Sequence, residues 1–281
     1  MTTLAINGGE RVRYTPFPKR VPFGEREEEL LLQAVRSQNL FGKSGTFVKE
    51  FEQQVAAFYG TNYAQSSTSG TAAIHTAIGA VNPEPGDEII TAPITDPGSV
   101  MPILMQNAVP IFADVDPLSL NMTPDSVEAN ITDRTRAIIL VHLFGHPCEI
   151  DQITKIAEQY NLILIEDCSQ THATKYKDCY AGTFGQMGCF SLQQSKHMTT
   201  GDGGFIITND EDTYIRLKLF SDKGWDYQYM GDRDHAFLAP NYRMTEMQGA
   251  VGIAQLEKVR SVVERRVTLG TQLTNEISDA P

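Results

Sequence analysis

The sequence predicts an α/β domain with a mostly parallel sheet, because strand-like runs of a buried type alternate with helices along most of the chain. Of four runs, starting at Glu88, Val109, Ala137 and Leu162, most are continuously apolar. That is the pattern of strands covered on both faces. A helical segment at 150–160 separates two of them, and later runs from Gly188 and Gly204 are joined by a glycine-rich turn. Such alternation builds crossover units rather than a sandwich or a bundle.

In chain order, a first helix is expected from Glu25 to Val35 and a second from about Phe47 to Phe58. The second places Phe47, Phe51, Val55 and Phe58 at helical spacing. A third, from Thr71 to Val81, is amphipathic, with Ile74, Ala77, Ile78 and Val81 on one face. The strands EIITAPI, VPIFADV, AIILVHL and LILIEDC follow, then GCFSLQQ and GFIITN. From Thr245 one long helix runs through Ala250, Ile253, Leu256 and Val259 to beyond Val263. No strand follows it before Pro281, so this side reads as unfinished.

A chain of 281 residues suffices for one large core, or for a large domain with part of a second. An apolar content of 41% with 21% charged residues describes an ordinary soluble globular protein. The net charge of −12 repels phosphate backbones and argues against general nucleic-acid binding. The N-terminal MTTLAINGGERVR has no apolar leader, and no stretch is long enough to span a bilayer. Cys148, Cys168, Cys179 and Cys189 form no C-x-x-C pair. A cytoplasmic protein with reduced thiols is expected.

Four segments carry chemistry. Ser69-Gly70-Thr71 opens a helix, where glycine permits close approach and free N–H groups attract phosphate. Taken alone, it reads more readily as a helix cap than as a phosphate site. Asp167 ends an apolar strand, the place where open α/β sheets bind ligands. A carboxylate there can keep a pyridinium nitrogen protonated, whereas Glu166 points the opposite way on the strand. Lys196, in FSLQQSKHMTTGDGG, follows a strand and precedes a glycine-rich turn. A lysine in a buried or cationic setting can form a Schiff base. Ser191, five residues earlier, can donate to a phosphate. The fourth segment, APNYRMTEMQGAVGIAQL, has a polar start from Asn241 to Arg243.

Together the motifs SGTAAIHTA (69–77), VHLFGHPCEID (141–151), IEDCSQTHA (165–173), CFSLQQSKHMTTGDGG (189–204) and NYRMTEMQGAVGIAQL (241–256) resemble the DegT/StrS-type sugar aminotransferases, in the same order over nearly the whole chain. The resemblance implies a fold type I large domain that binds pyridoxal 5′-phosphate (PLP). Lys196 would be the Schiff-base lysine, Asp167 the partner of the ring nitrogen, and Gln170 a contact of the ring hydroxyl. Ser69, Gly70, Thr71 and Ser191 would surround the phosphate, with Gln193 also in the cofactor site. Asn241 would reach the phosphate of a neighbouring subunit, which implies a homodimer. The reaction implied is ping-pong transfer of an amino group from glutamate or glutamine to a nucleotide-linked keto-sugar or a keto-cyclitol. The pair Gln193-Gln194 is similar to members that aminate cyclitols such as scyllo-inosose. The domain division expected is 1–250 for the large domain with its N-terminal helices, and 251–281 for a helix leading into a small domain that is largely missing.

Two departures from the family pattern stand out. An aromatic side chain usually covers the cofactor ring, yet the matching segment reads PITDPGSV, with Pro97 at that place. Family members also continue well past the long helix. Two rival functions remain: a PLP-dependent sugar dehydratase, in which histidine replaces the lysine, and a non-catalytic regulatory protein that keeps the fold. Phe41-Gly42-Lys43-Ser44 is not a P-loop, because Ser37 stands where glycine is required. Gly201, Gly203 and Gly204 do not complete a dinucleotide fingerprint, because Ile206 occupies the last position. His142, His146 and Cys148 have ligand-like spacing without a second cluster, so no metal site is expected.

Overall fold

A computed structural model describes residues 3–225 and 235–278. The elements run α1 (Glu25–Arg36), α2 (Phe47–Tyr59), β1 (Tyr63–Ser67), α3 (Gly70–Val81), β2 (Glu88–Thr91), α4 (Met101–Met105), β3 (Val109–Phe112) and α5 (Pro124–Ala129). They continue with β4 (Thr135–Val141), α6 (Ile150–Gln159), β5 (Ile163–Asp167), β6 (Lys175–Tyr176), β7 (Cys179–Tyr180), β8 (Met187–Ser191), β9 (Gly204–Thr208), α7 (Glu211–Ser221) and α8 (Glu246–Ile277).

Seven strands form one sheet in the order β1-β9-β8-β5-β4-β2-β3. The pairs β3–β2, β2–β4, β4–β5 and β5–β8 are parallel, and β9 runs antiparallel to both β8 and β1. The predicted mostly parallel α/β sheet is therefore present. Successive side chains on a strand point to opposite faces, and β8 and β9 feed two cores accordingly. Cys189 and Ile206 join the core that contains α3, while Phe190, Phe205 and Ile207 join the one that contains α1, α2 and α8. Phe190 and Phe205 stack at 4.6 Å between centroids, closing the second core.

Two expectations need correction. VPIFADV was expected to be covered on both faces, but β3 is the sheet edge, with Val109 43% and Phe112 49% exposed. The expected amphipathic third helix is instead buried nearly all round, including Thr76 and His75. It lies against β8 and β9 and is covered by α7 and α4. β1 and α7, and the short elements α4, α5, β6 and β7, are not marked by the sequence pattern.

The long helix α8 is capped by Thr245, whose hydroxyl accepts from Gln248 N while the Gln248 side chain returns to the Thr245 N–H. This is a capping box. Its first half is buried as far as Val259 and packs on α1 and α2, whereas Val267, Leu269, Leu273 and Ile277 are exposed. Among the described residues no helix is long and apolar enough to cross a membrane.

Candidate active site

The carboxyl ends of β4, β5 and β8 converge with the N-terminus of α3 on a pocket of about 390 Å³. Ser69, Gly70, Thr71, Asp167, Gln170, Ser191, Gln193 and Lys196 all line it. The structure thus brings together every predicted site residue except Asn241.

Asp167 is the last residue of β5, in register with Val141 of β4 and Cys189 of β8. It is 5% exposed. Its Oδ1 accepts from Ser169 N at 3.0 Å and its Oδ2 from Ser99 Oγ at 2.6 Å. Glu166 goes to the other face, as strand alternation requires. Its carboxylate accepts from the backbone N–H groups of Gly182, Phe184 and Gly185, each at 2.8 Å, and lies 3.0 Å from His142 Nε2. Burial acts to raise the Glu166 carboxyl, but the His142 contact and the Gly185 and Gly182 amides outweigh it and leave it lowered. His142, Glu166 and Cys168 lie close enough together to resemble ligands. Their bonding is internal, because His142 Nδ1 also accepts from Cys148 N at 3.3 Å.

At the phosphate end, Ser69 is the cap of α3, and its hydroxyl accepts from Ala72 N at 3.0 Å. Its backbone carbonyl accepts from Ala73 N. The N–H groups of Gly70 and Thr71, first in the helix, have no intrahelical acceptor and are available to an anion. A Cβ on Gly70 would sit 2.6 Å from Ser191 Cβ and 2.9 Å from Ser191 Oγ. Only glycine lets the helix start approach the end of β8 so closely. His172 Nε2 donates to Ser191 O at 2.8 Å. Burial, with the neighbouring His197 charge, lowers the His172 pKa to about 3, so the ring is neutral.

Lys196 sits in a loop after β8, and its N–H donates to Gln193 O at 2.9 Å. The Gln193 side chain is occupied inside this loop, its Oε1 accepting from Ser195 N and Ser195 Oγ at 2.8 and 2.7 Å. Distant residues tie the loop down. The Arg20 guanidinium donates to Gln194 O at 2.7 Å and Lys196 O at 2.6 Å. The buried Gln255 of α8 accepts from Thr199 N at 3.2 Å, and Gln248 donates to Asp202 O at 2.8 Å. Gln170 Oε1 accepts from Phe144 N at 2.8 Å, and its Nε2 makes no hydrogen bond among the described residues. Phe144 itself has φ 53°, an uncommon backbone state for a bulky residue, at the rim of the site.

Asn241 is exposed, bridges to Asp222, and does not line the pocket of its own chain. Pro97, at the place where the family has an aromatic cover, is exposed and does not line the pocket. Its neighbours Thr95, Asp96, Gly98 and Ser99 line the pocket instead. The sequence reading missed Ser99, Thr95 and Arg20. An Asp-Pro helix start in PITDPGSV was a signal for the first two, since it opens a short turn with Thr95 and Ser99 on one side. Nothing local marked Arg20.

Fold and pocket together define the large domain of a fold type I transferase. The chain belongs to the DegT/DnrJ/EryC1/StrS aminotransferase family, whose family model matches residues 23–281. It is 37% identical to a GDP-perosamine synthase of Escherichia coli O157:H7, over 86% of this chain and 65% of that protein. It is 34% identical to a putative L-glutamine:3-amino-2,3-dideoxy-scyllo-inosose aminotransferase of Micromonospora echinospora, over 96% of this chain and 65% of that one. Among solved structures, it superposes with a TM-score of 0.86 on the E. coli GDP-4-keto-6-deoxy-D-mannose-3-dehydratase with bound hydrated PLP. That likeness is at 30% identity and covers 93% of this chain and 72% of the other. The chain spans about two thirds of the length of the curated relatives it matches.

PLP is the cofactor of this class, and the residues present fit it. The close Gly70–Ser191 approach sets the Ser191 hydroxyl beside the backbone N–H groups that open α3, as a phosphate requires, and a carboxylate and a primary amine line the same pocket.

Proposed function

We propose that this chain carries the cofactor-binding part of an aminotransferase that moves an amino group from glutamate or glutamine to a keto-sugar or keto-cyclitol. The observation that carries this reading is the convergence of Asp167, Lys196 and the start of α3 on one pocket. The cofactor, when bound, supplies the electron sink that amino transfer needs. The Gly70 and Thr71 N–H groups and the Ser191 hydroxyl bind its phosphate. Asp167 holds a proton on the ring nitrogen, and Gln170 Nε2 orients the ring hydroxyl. Lys196 Nζ would hold the cofactor through its aldehyde and would serve as the base that carries the proton at the donor Cα. The relatives named above support the choice of sugar or cyclitol acceptors.

The test is uptake of PLP, borohydride reduction, and mass mapping of the tagged peptide. The tag is expected on Lys196, and glutamate or glutamine is expected to convert the bound cofactor to its amine form. A protein that takes up no PLP overturns the reading. A dehydratase function is disfavoured by Lys196 itself, since histidine replaces the lysine in related dehydratases.

We also propose a homodimer with shared sites and a cytoplasmic location. The exposure of Asn241 outside its own pocket supports a role at the neighbouring subunit's phosphate. Mixing Lys196→Ala and Asn241→Ala subunits is expected to restore one intact site per heterodimer. Failure of any site to regain phosphate binding would rule out this sharing. Residues 1–250 are proposed as the large domain, with 251–281 leading towards a second one.

A further inference from the structure

The turn that follows β2 approaches Asp167 from outside the motifs that contain Ser69, Asp167 and Lys196. Asp96 Oδ1 accepts from Gly98 N at 2.8 Å, Pro97 opens the turn, and Ser99 N donates to Asp96 O at 3.0 Å. A Cβ on Gly98 would stand 2.6 Å from Thr71 Oγ1, so the turn lies directly against the start of α3. This places the fully buried Ser99 hydroxyl 2.6 Å from Asp167 Oδ2. The same hydroxyl is 2.7 Å from Thr95 Oγ1. A hydroxyl has one proton to give. With the Ser99 proton committed to the carboxylate, Thr95 is the donor of the second pair.

The geometry points to Ser99, backed by Thr95, as the positioning residue that fixes and tunes Asp167. This rests on the proposed reading of Asp167 as the partner of the ring nitrogen. Two effects follow. First, Ser99 and Ser169 N hold the two carboxylate oxygens from different sides and so fix the rotamer. Second, hydrogen bonds donated to a carboxylate stabilise its charged form and make it a weaker base. A proton shared between Asp167 and the ring nitrogen then stays on the ring, which keeps the ring strongly electron-withdrawing. The Thr95 hydroxyl polarises Ser99 and strengthens its donation. The segment in which the family places an aromatic cover here contributes a hydroxyl relay to the acid.

The experiment compares wild type, Ser99→Ala, Ser99→Thr, Thr95→Val, Asp167→Asn and the Ser99→Ala/Asp167→Asn double variant. Each is loaded with PLP labelled with nitrogen-15 in the ring. The resting nitrogen resonance and the single-turnover rate with glutamine or glutamate are both read. In Ser99→Ala the resonance is expected to move towards its unprotonated position, and the rate to fall about tenfold, as for one charged hydrogen bond. Thr95→Val shifts the resonance the same way by less, and Ser99→Thr restores both readouts. In the Asp167→Asn background, Ser99→Ala is expected to add little, because the group it acts through is gone. The inference is overturned if Ser99→Ala matches wild type in both readouts while Asp167→Asn is impaired. It is equally overturned if Ser99→Thr behaves like alanine, or if the alanine effect persists in full beside Asp167→Asn. Absence of cofactor in wild type, or a silent Asp167→Asn, instead overturns the underlying assignment of the site. If Ser99→Ala does not fold, the Thr95→Val shift decides, and its absence counts against the relay.

Discussion

The acid end and the lysine end of the pocket are built in opposite ways. Asp167 ends a parallel strand that is buried from Leu164 onward, and its place follows from pairing with β4 and β8. Lys196 lies in an irregular loop held by Arg20, 176 residues away in sequence, and by Gln255 and Gln248 of α8. A strand end is positioned by a cooperative ladder. A loop is positioned by whichever single groups reach its carbonyls, so it is the part of a site most open to loss by one remote substitution.

The largest expected effects lie in the chemistry itself. Asp167→Asn should slow the half-reaction with amino donor by roughly a hundredfold or more while the borohydride-fixed tag on Lys196 remains. Lys196→Ala should abolish the tag and leave reversible cofactor binding through the phosphate contacts, checked by dialysis and absorbance. If both variants lose the cofactor entirely, the two ends are not separable as described.

Arg20→Ala comes next. It removes three hydrogen bonds to the lysine loop, accepted by the Gln194, Lys196 and His197 carbonyls, and should lower the rate by about tenfold, equivalent to about 1.4 kcal/mol in all. Arg20→Lys should recover little, because an ammonium cannot match the guanidinium fork across these carbonyls. Added guanidinium should partly restore the alanine variant. A wild-type rate in Arg20→Ala would make the lysine loop self-supporting and erase the contrast.

The acid stability of the protein gives a third handle. Burial holds His172 at about 3, below the 6.5 of an exposed imidazole. His197 is held at about 4, first by burial and then by Arg266, Arg20 and Lys196. Between pH 6.5 and about 4 the unfolded chain therefore binds more protons than the folded one. Stability is fully present above pH 6.5 and falls as pH drops through this window. Thermal melts across the window should show that slope, and His172→Gln should reduce it. Unchanged melting from pH 7 to 4.5 would contradict the buried neutral state.

The smallest effect is expected at the support of the lysine end. Thr245→Ala removes the capping box of α8 and should cost about 1 kcal/mol of stability. The change is read as a denaturant midpoint shift, with PLP uptake retained. A loss of uptake would show that the first turn of α8 sets the lysine loop more tightly than Gln248 and Gln255 alone require.

Much of this architecture is legible locally. The apolar runs that became β2, β4 and β5, and the helical spacing of Phe51 and Val55, record burial directly. Ser69 and Thr245 carry cap signals that the structure bears out. The edge position of β3 was not legible, because an apolar run looks alike in the centre of a sheet and at its border. Helix α3 misled for the opposite reason. Its small residues weaken the apparent stripe, yet α7 and α4 cover the face that pattern alone leaves to solvent.

The sequence by itself determined the sheet type, the strand that ends in Asp167, the helix that opens at Gly70 and the motif that contains Lys196. Each of these depends on neighbours within a few residues, where backbone periodicity and capping chemistry act. Tertiary structure alone decided that Ser99 donates to Asp167, that Arg20 grips the lysine loop, and that Asn241 and Pro97 stand outside the pocket. Those outcomes depend on where separate elements come to rest against one another, and a hydrogen bond across 68 or 176 residues leaves no periodic trace in the chain.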